Sequence, residues 1–131
     1  MSLPKTAKYQ AYDIDVEEVG FLMEVMSMLG LQNQVSVDTG DILSDSFEYA
    51  DVVFLFKLLP CLEHQAKNYI EIVLKQMCKF LVISYPIRSL SGKSRGMKDF
   101  YTREFRRQFA EYKGNIKQLL FPTEAVFIIE K

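Results

Sequence analysis

The sequence predicts an α/β domain built on a mostly parallel β-sheet that ends in an antiparallel pair of strands. Short apolar runs with the character of strands alternate along the chain with segments of helical periodicity, and two strand-like segments around a short turn close it. Strands that alternate with helices form parallel sheets through right-handed crossovers. The 131 residues are 49% hydrophobic, which is enough apolar material for one core.

The N-terminal third is predicted to hold a strand, a helix and a second strand. Residues 9–12 form the first strand. Asp15 suits the N-cap of the helix, with Glu18 in the capping-box position and Gly30 as a C-terminal stop. Residues 34–37 predict the second strand, and a turn follows it. The apolar residues of the helix recur at helical spacing at Val19, Leu22, Met23, Met26 and Leu29.

The centre of the chain predicts two buried strands joined by one helix. Residues 52–56 are a run of β-branched and aromatic side chains, which is typical of a central strand buried on both faces. Pro60 suits the first turn of a helix whose periodic pattern continues to Met77. Residues 80–84 predict the second buried strand.

The C-terminal third is predicted to hold a polar loop, a helix and two strands. The loop covers residues 86–96, and the helix ends at Gly114. Residues 116–121 and 125–129 form strands around a turn at Pro122. The apolar face of the helix is formed by Met97, Tyr101, Phe105, Phe109 and Tyr112.

Charge is distributed unevenly around a net value of −1. Residues 1–56 carry ten carboxylates against Lys5 and Lys8, whereas residues 88–107 carry seven cations against Asp99 and Glu104. This asymmetry predicts a polyanion partner on one face, and a merely solubilising face is the alternative. The cations are Arg88, Lys93, Arg95, Lys98, Arg103, Arg106 and Arg107.

The chain shows no pattern of a metal site or a membrane segment. Cys61 and Cys78 lack CxxC spacing, and two thiols with one histidine are too few for most structural zinc sites, so both are predicted to be reduced packing residues. His64 is predicted to lie on the surface. No apolar run approaches the ~18 residues of a membrane span, and the N-terminus lacks an apolar signal segment. We therefore expect a cytoplasmic protein without a metal.

Four segments together resemble the aminoglycoside-resistance 16S rRNA guanine-N7 methyltransferases. They are Asp13 after the first strand, Asp41 in DIL after the second, FKLLPCLEHQ and SYPIRSLSGKSRGM. The resemblance runs from about residue 12 to the C-terminus and implies a Rossmann-like class I methyltransferase sheet that ends in a β-hairpin. None of the six glycines matches the family's glycine-rich turn after its first strand. We therefore expect the C-terminal half of such an enzyme, with a sheet incomplete at its N-terminal side.

The resemblance assigns S-adenosyl-L-methionine as the cofactor. Asp13, beside Ile14, would accept hydrogen bonds from its ribose hydroxyls, and Asp41 would bind the adenine amine while Ile42 packs on the ring. Without the resemblance, Asp41 is a turn residue. Ligands of open α/β sheets bind past the carboxyl ends of strands. There, near the methyl group, the pocket would be lined by Lys57, Leu58, Leu59 and Pro60.

The resemblance also assigns 16S rRNA in the small ribosomal subunit as the substrate. Cations bind phosphates, while planar and apolar side chains stack on exposed bases. Guanine N7 carries a lone pair and no proton, so methyl transfer to it requires no general base. The residues expected to contact RNA are Tyr85, Arg88, Ser89, Lys93, Arg95 and Met97.

Three functions stay open from the sequence. The first is an rRNA methyltransferase, whole or in part, and the second is a non-enzymatic RNA-binding or assembly module that kept the basic loop. The third is a structural Rossmann-like domain. An incomplete sheet leaves backbone groups and apolar faces uncovered, so we also expect a homodimer or a partner that completes the sheet.

Overall fold

The structure, a computed structural model, describes residues 4–88 and 96–131. The chain divides into two compact units, Met1–Ser46 and Phe47–Lys131. Within the described ranges, no helix has both the length and the apolar character needed to cross a membrane.

The first unit is a two-stranded parallel sheet with one helix. Its elements are β1 (Tyr9–Asp13), α1 (Val16–Met28) and β2 (Val35–Thr39). The Asp15 carboxylate accepts hydrogen bonds from the backbone N–H groups of Glu17 at 2.8 Å and Glu18 at 3.3 Å. Gly30 adopts a φ of +68° just past the helix. The predicted N-cap, stop and strands are therefore confirmed.

Two local expectations for α1 are wrong. The Asp15 N–H donates to Asp13 Oδ1 at 2.9 Å, so the Glu18 side chain does not complete a capping box. Of the predicted apolar stripe only Val19 is buried, whereas Met23 and Leu29 are exposed. Leu22 and Met26 are half-buried. A two-stranded sheet offers the helix only a narrow surface, and much of the stripe therefore stays partly or wholly exposed.

The second unit is a four-stranded mixed sheet with three helices. The strands lie in the order β3-β4-β6-β5, with β3 and β4 parallel and the other pairs antiparallel. The predicted closing hairpin and the α/β class are thus confirmed. The elements are β3 (Ala50–Phe56), α2 (Leu59–Glu63), α3 (Tyr69–Leu74), β4 (Cys78–Pro86), α4 (Met97–Gln108), β5 (Asn115–Leu120) and β6 (Glu124–Glu130).

Strand β3 lies at an edge of this sheet, so the prediction of a central strand buried on both faces is wrong for the described residues. Leu55 shares a sheet face with Ile83 and Phe127, on which α4 packs. On the opposite face Phe54 and Phe56 are 47% and 57% exposed. The apolar sequence of β3 would allow both of its faces to be buried. Which face is buried depends on the strands and helices that pack beside it.

The predicted helix from Pro60 to Met77 is instead two short helices. Turn-like hydrogen bonds join them, from the N–H of Gln65 to the carbonyl of Leu62 at 2.9 Å, for example. Asn68, a weak helix former, stands at the N-cap of α3. The same periodic apolar pattern fits one long helix or two short ones, so the sequence could not distinguish them. The expected core residues Leu62, Tyr69 and Val73 are buried.

Aromatic rings form the core between α4 and the sheet. Phe105 stacks on Phe127 with ring centroids 3.7 Å apart and on Phe109 at 4.3 Å. The Gln118 side-chain amide donates to the Thr102 hydroxyl at 2.9 Å, which ties α4 to β5. The helix ends at Gln108 rather than at Gly114. The predicted apolar face of α4 is confirmed at its two phenylalanines, which are buried.

Candidate functional site

The first unit brings both predicted cofactor-binding acids to one edge of its sheet. Asp13 is the last residue of β1 and pairs with Thr39 at the end of β2. The Gly40 N–H donates to the Asp13 carbonyl at 3.0 Å, so the two parallel strands end side by side. Asp41 follows directly. The carboxyl edge of a parallel sheet is where open α/β folds bind ligands.

The Asp13 carboxylate is oriented but not neutralised. Its Oδ1 accepts the Asp15 N–H at 2.9 Å. Its Oδ2 accepts no hydrogen bond from a residue that the structure describes, and the side chain is exposed. Ile14, the residue after the end of β1, is also exposed. The residue thus offers a fixed acceptor to a hydroxyl-bearing ligand.

Asp41 has the geometry of a turn residue. Its Oδ1 accepts the Leu43 N–H at 2.9 Å, and its own N–H donates to Asp45 Oδ2 at 2.8 Å. The side chain is half-buried, as is that of Ile42. These two hydrogen bonds explain why an aspartate stands at this turn. They leave Asp41 Oδ2 without a hydrogen-bond partner in the described part of the chain.

Lys57 forms a strained turn at the carboxyl end of β3. Its φ is +55°, in the left-handed region that side chains other than glycine seldom adopt. The Lys57 N–H donates to the Ser84 carbonyl at 3.0 Å and lies 3.2 Å from the Ser84 hydroxyl, and these contacts hold the turn. The turn leads into α2 through Leu58 and Pro60, which are half-buried, and Leu59, which is buried.

Glu124 contacts Lys57 at the carboxyl end of β3, and the sequence analysis did not predict it as a site residue. Lys57 Nζ lies 3.0 Å from Glu124 Oε1, and the hydrogen bond from Lys57 lowers the pKa of the Glu124 carboxyl despite partial burial. Glu124 begins β6 and pairs with Pro86 of β4. Only the pairing of two strands far apart in sequence brings it to Lys57. The positive charge of the Lys57 ammonium is therefore balanced by the Glu124 carboxylate.

Of the predicted RNA-binding residues, the structure describes Arg88 and Met97. Arg88 is exposed, and Met97 is half-buried in the first turn of α4. Ser89, Lys93 and Arg95 lie outside the described residues.

Tyr85 is not a surface residue, so its predicted role in stacking on RNA is wrong. It is 2% exposed, stacks on Tyr101 with centroids 4.9 Å apart and meets Phe127 edge to face at 5.9 Å. Burial raises the pKa of its hydroxyl, which has no hydrogen-bond partner among the described residues. Strand β4 runs two residues further than predicted, to Pro86, and carries Tyr85 into the core.

The thiols and the histidine divide between core and surface. Cys78 is buried, as predicted for a packing residue, whereas Cys61 is exposed, so that part of the prediction is wrong. Both cysteines are free. His64 is exposed, as predicted.

Comparisons with known proteins show the family to which this chain belongs. A family model described as "Ribosomal RNA methyltransferase (FmrO)" matches residues 1–129. A 16S rRNA (guanine(1405)-N(7))-methyltransferase of Micromonospora echinospora is 34% identical over all of this chain and 48% of its own length. The enzyme of the same name from Proteus mirabilis is 29% identical over 95% of this chain and 45% of its own length.

Solved structures show the same fold. The 16S rRNA methyltransferase RmtF, in complex with S-adenosyl-L-homocysteine, superposes with a TM-score of 0.79 at 27% identity, over 93% of this chain and 47% of that one. The 16S rRNA methylase ArmA gives a TM-score of 0.71 at 29% identity, over 98% of this chain and 64% of that one. The chain thus spans about half the length of the curated relatives it matches. With a family match over almost its whole length, this chain belongs to the ribosomal RNA methyltransferase family.

Proposed function

We propose that this chain is the part of a 16S rRNA guanine-N7 methyltransferase that binds the adenosine end of S-adenosyl-L-methionine and contacts the RNA. One observation carries the proposal: Asp13 and Asp41 lie at the ends of adjacent parallel strands in a chain of this family. The relatives' names and the ligand of RmtF support the choice of substrate and cofactor.

The open acceptors fit the donors of an adenosine. Asp13 Oδ2 would accept from the ribose hydroxyls, and Asp41 Oδ2 would accept from the exocyclic amine of adenine. Ile14 and Ile42 supply apolar surface beside them. The bound cofactor would supply the methyl group as an electrophile.

The segment from Lys57 to Pro60 is proposed to position the reactants rather than to move a proton. Methyl transfer to guanine N7 removes no proton, so the reaction needs orientation and suitable electrostatics. The Lys57 ammonium is paired with Glu124 and is therefore no free cation beside the positively charged methyl donor. Lys57, Leu59 and Pro60 would thus form the rigid wall of this region.

The proposed RNA contact gives the first testable prediction. Replacing Arg88, Lys93 and Arg95 together with alanine is expected to weaken binding to a 16S rRNA fragment and to flatten its salt dependence. Each lost phosphate contact lowers the slope of log K against log salt by about 0.7–0.9. Filter binding at several salt concentrations measures both quantities.

A charge-matched control accompanies that variant. Replacing Lys67, Lys75 and Lys113 with alanine removes three exposed cations from other parts of the same unit. This control is expected to change affinity and slope much less. Equal effects of the two triple variants would contradict a specific RNA contact at the loop.

A second candidate function is a catalytically inactive RNA-binding or assembly module. The exposed cations Arg88, Arg103 and Arg106 support it, because phosphate binding by such side chains requires no cofactor. Both candidates include RNA binding, and they differ in the affinity of the chain for the cofactor.

We further propose that another polypeptide, a second copy or a separate partner, covers the exposed face of β3. Phe54 and Phe56 are large, exposed and in contact with each other, with ring centroids 5.2 Å apart. Strand β3 also ends the sheet of its unit, and the unpaired backbone of an edge strand is a pairing surface.

The prediction is that the purified chain sediments as a dimer or a larger species at micromolar concentrations. Phe54→Ser with Phe56→Ser is expected to shift it toward the monomer, whereas Phe121→Ser, at another exposed phenylalanine, is not. A clean monomer for the unsubstituted chain would exclude self-association.

A further inference from the structure

Helix α4 presents two different faces. Its inner face is fixed by the stack of Phe105 on Phe127 and by the hydrogen bond between Thr102 and Gln118. The orientation of its outer face is therefore set by the core. That outer face carries an exposed aromatic ring, Phe100, together with the exposed side chains of Arg103 and Arg106.

The Phe100 ring is 51% exposed yet is held by the core. It meets the Tyr101 ring edge to face, with centroids 5.2 Å apart. Tyr101 in turn stacks on buried Tyr85 at 4.9 Å. A chain of aromatic contacts thus runs from the centre of the unit to a ring at its surface. A ring held in this way loses little freedom when another ring stacks on it.

The cations beside Phe100 are available to a ligand. Arg103 lies one helical turn from Phe100. Arg106 lies one turn further and about 120° around the helix, on the side of β5, where it lines a cavity together with Ile116. Neither forms an ion pair with a residue in the described ranges, whereas Arg107 is paired with Glu104. The exposed face of the helix also carries one carboxylate, Asp99. Asp99 likewise forms no ion pair with a residue that the structure describes. The face combines net positive charge with one oriented ring.

We propose that the outer face of α4 is a binding site for unpaired RNA nucleotides, in which Phe100 stacks on a base while Arg103 and Arg106 bind neighbouring phosphates. Aromatic stacking on a splayed base and cations on its backbone are the usual means of binding single-stranded RNA. Phe100 thereby takes the stacking role that Tyr85, being buried, cannot have. This site deepens the proposed RNA binding and rests on it.

The test compares RNA affinities of the full chain by fluorescence anisotropy, with a labelled 16S rRNA hairpin that has an unpaired loop. Phe100→Ala is expected to weaken binding roughly 5- to 150-fold, the effect of losing one stacked base, with an unchanged salt slope. Replacing both Arg103 and Arg106 with alanine is expected to reduce the magnitude of the slope of log K against log salt by about 1.4. A fully paired duplex of the same composition should not distinguish Phe100→Ala from the unsubstituted chain.

Matched controls make the result specific. Phe121 is 52% exposed on the turn between β5 and β6, so Phe121→Ala removes an equally exposed ring and should leave the affinity unchanged. Phe100→Trp should retain binding, and because the chain has no other tryptophan, stacking should quench its emission when RNA is added.

The outcomes separate this inference from the proposed function. If the variant of Arg88, Lys93 and Arg95 weakens binding while Phe100→Ala behaves like Phe121→Ala, RNA binding stands and the α4 site is wrong. Unquenched emission from Phe100→Trp in the RNA complex would overturn the site as well. If the unsubstituted chain binds no RNA, both proposals fail together.

Discussion

Replacing Phe105 with alanine is expected to lower the free energy of unfolding by about 3–5 kcal/mol, the usual cost of removing a buried phenylalanine. Phe105 is 1% exposed and stacks on both Phe109 and Phe127. No small shift of α4 can refill the space, because the Thr102–Gln118 hydrogen bond and the Tyr85–Tyr101 stack hold the helix at other points. The loss is a large part of the 5–15 kcal/mol by which most domains are stable.

Urea unfolding followed by circular dichroism measures this loss, with Phe121→Ala as the control. That exposed residue is expected to change the free energy of unfolding by less than about 0.5 kcal/mol. A destabilisation from Phe105→Ala no larger than that of the control would mean that α4 does not pack on the sheet as described.

The 131-residue chain by itself is expected to bind S-adenosyl-L-methionine weakly and to methylate no RNA. Asp13 and Asp41 offer acceptors for the adenosine, but the 131 residues tested include no glycine-rich turn whose backbone donors would hold the methionine part. Several missing hydrogen bonds, each worth roughly 0.5–1.5 kcal/mol, lower the affinity by orders of magnitude.

Isothermal calorimetry decides this prediction. Weak binding that Asp13→Ala removes would favour the adenosine-binding function, and weak binding that Asp13→Ala leaves unchanged would favour the inactive module. Binding in the micromolar range that Asp13→Ala abolishes would overturn it, and would show that the chain builds a working cofactor site. Glu24→Ala is the matched control, because Glu24 is an exposed carboxylate of α1 in the same unit. Heat that is unchanged by Asp13→Ala would instead indicate nonspecific binding.

The sequence alone determined those features of this protein that depend on a few neighbouring residues. The cap at Asp15, the stop at Gly30 and the closing hairpin follow from hydrogen bonds and turns within short segments. The alternation of elements predicted the α/β class. The family resemblance, rather than the acids themselves, singled out Asp13 and Asp41, and both lie at the carboxyl edge of the first sheet.

Only the tertiary structure decided which surfaces are covered. It placed β3 at an edge, buried Tyr85 and paired Lys57 with Glu124. A local pattern states that a side chain is apolar or charged, but burial and ion pairing depend on strands and helices that lie far apart in sequence. For the same reason Phe100 is recognised as a surface ring only once Tyr85 is seen to be buried and half-buried Tyr101 to lie between the two rings.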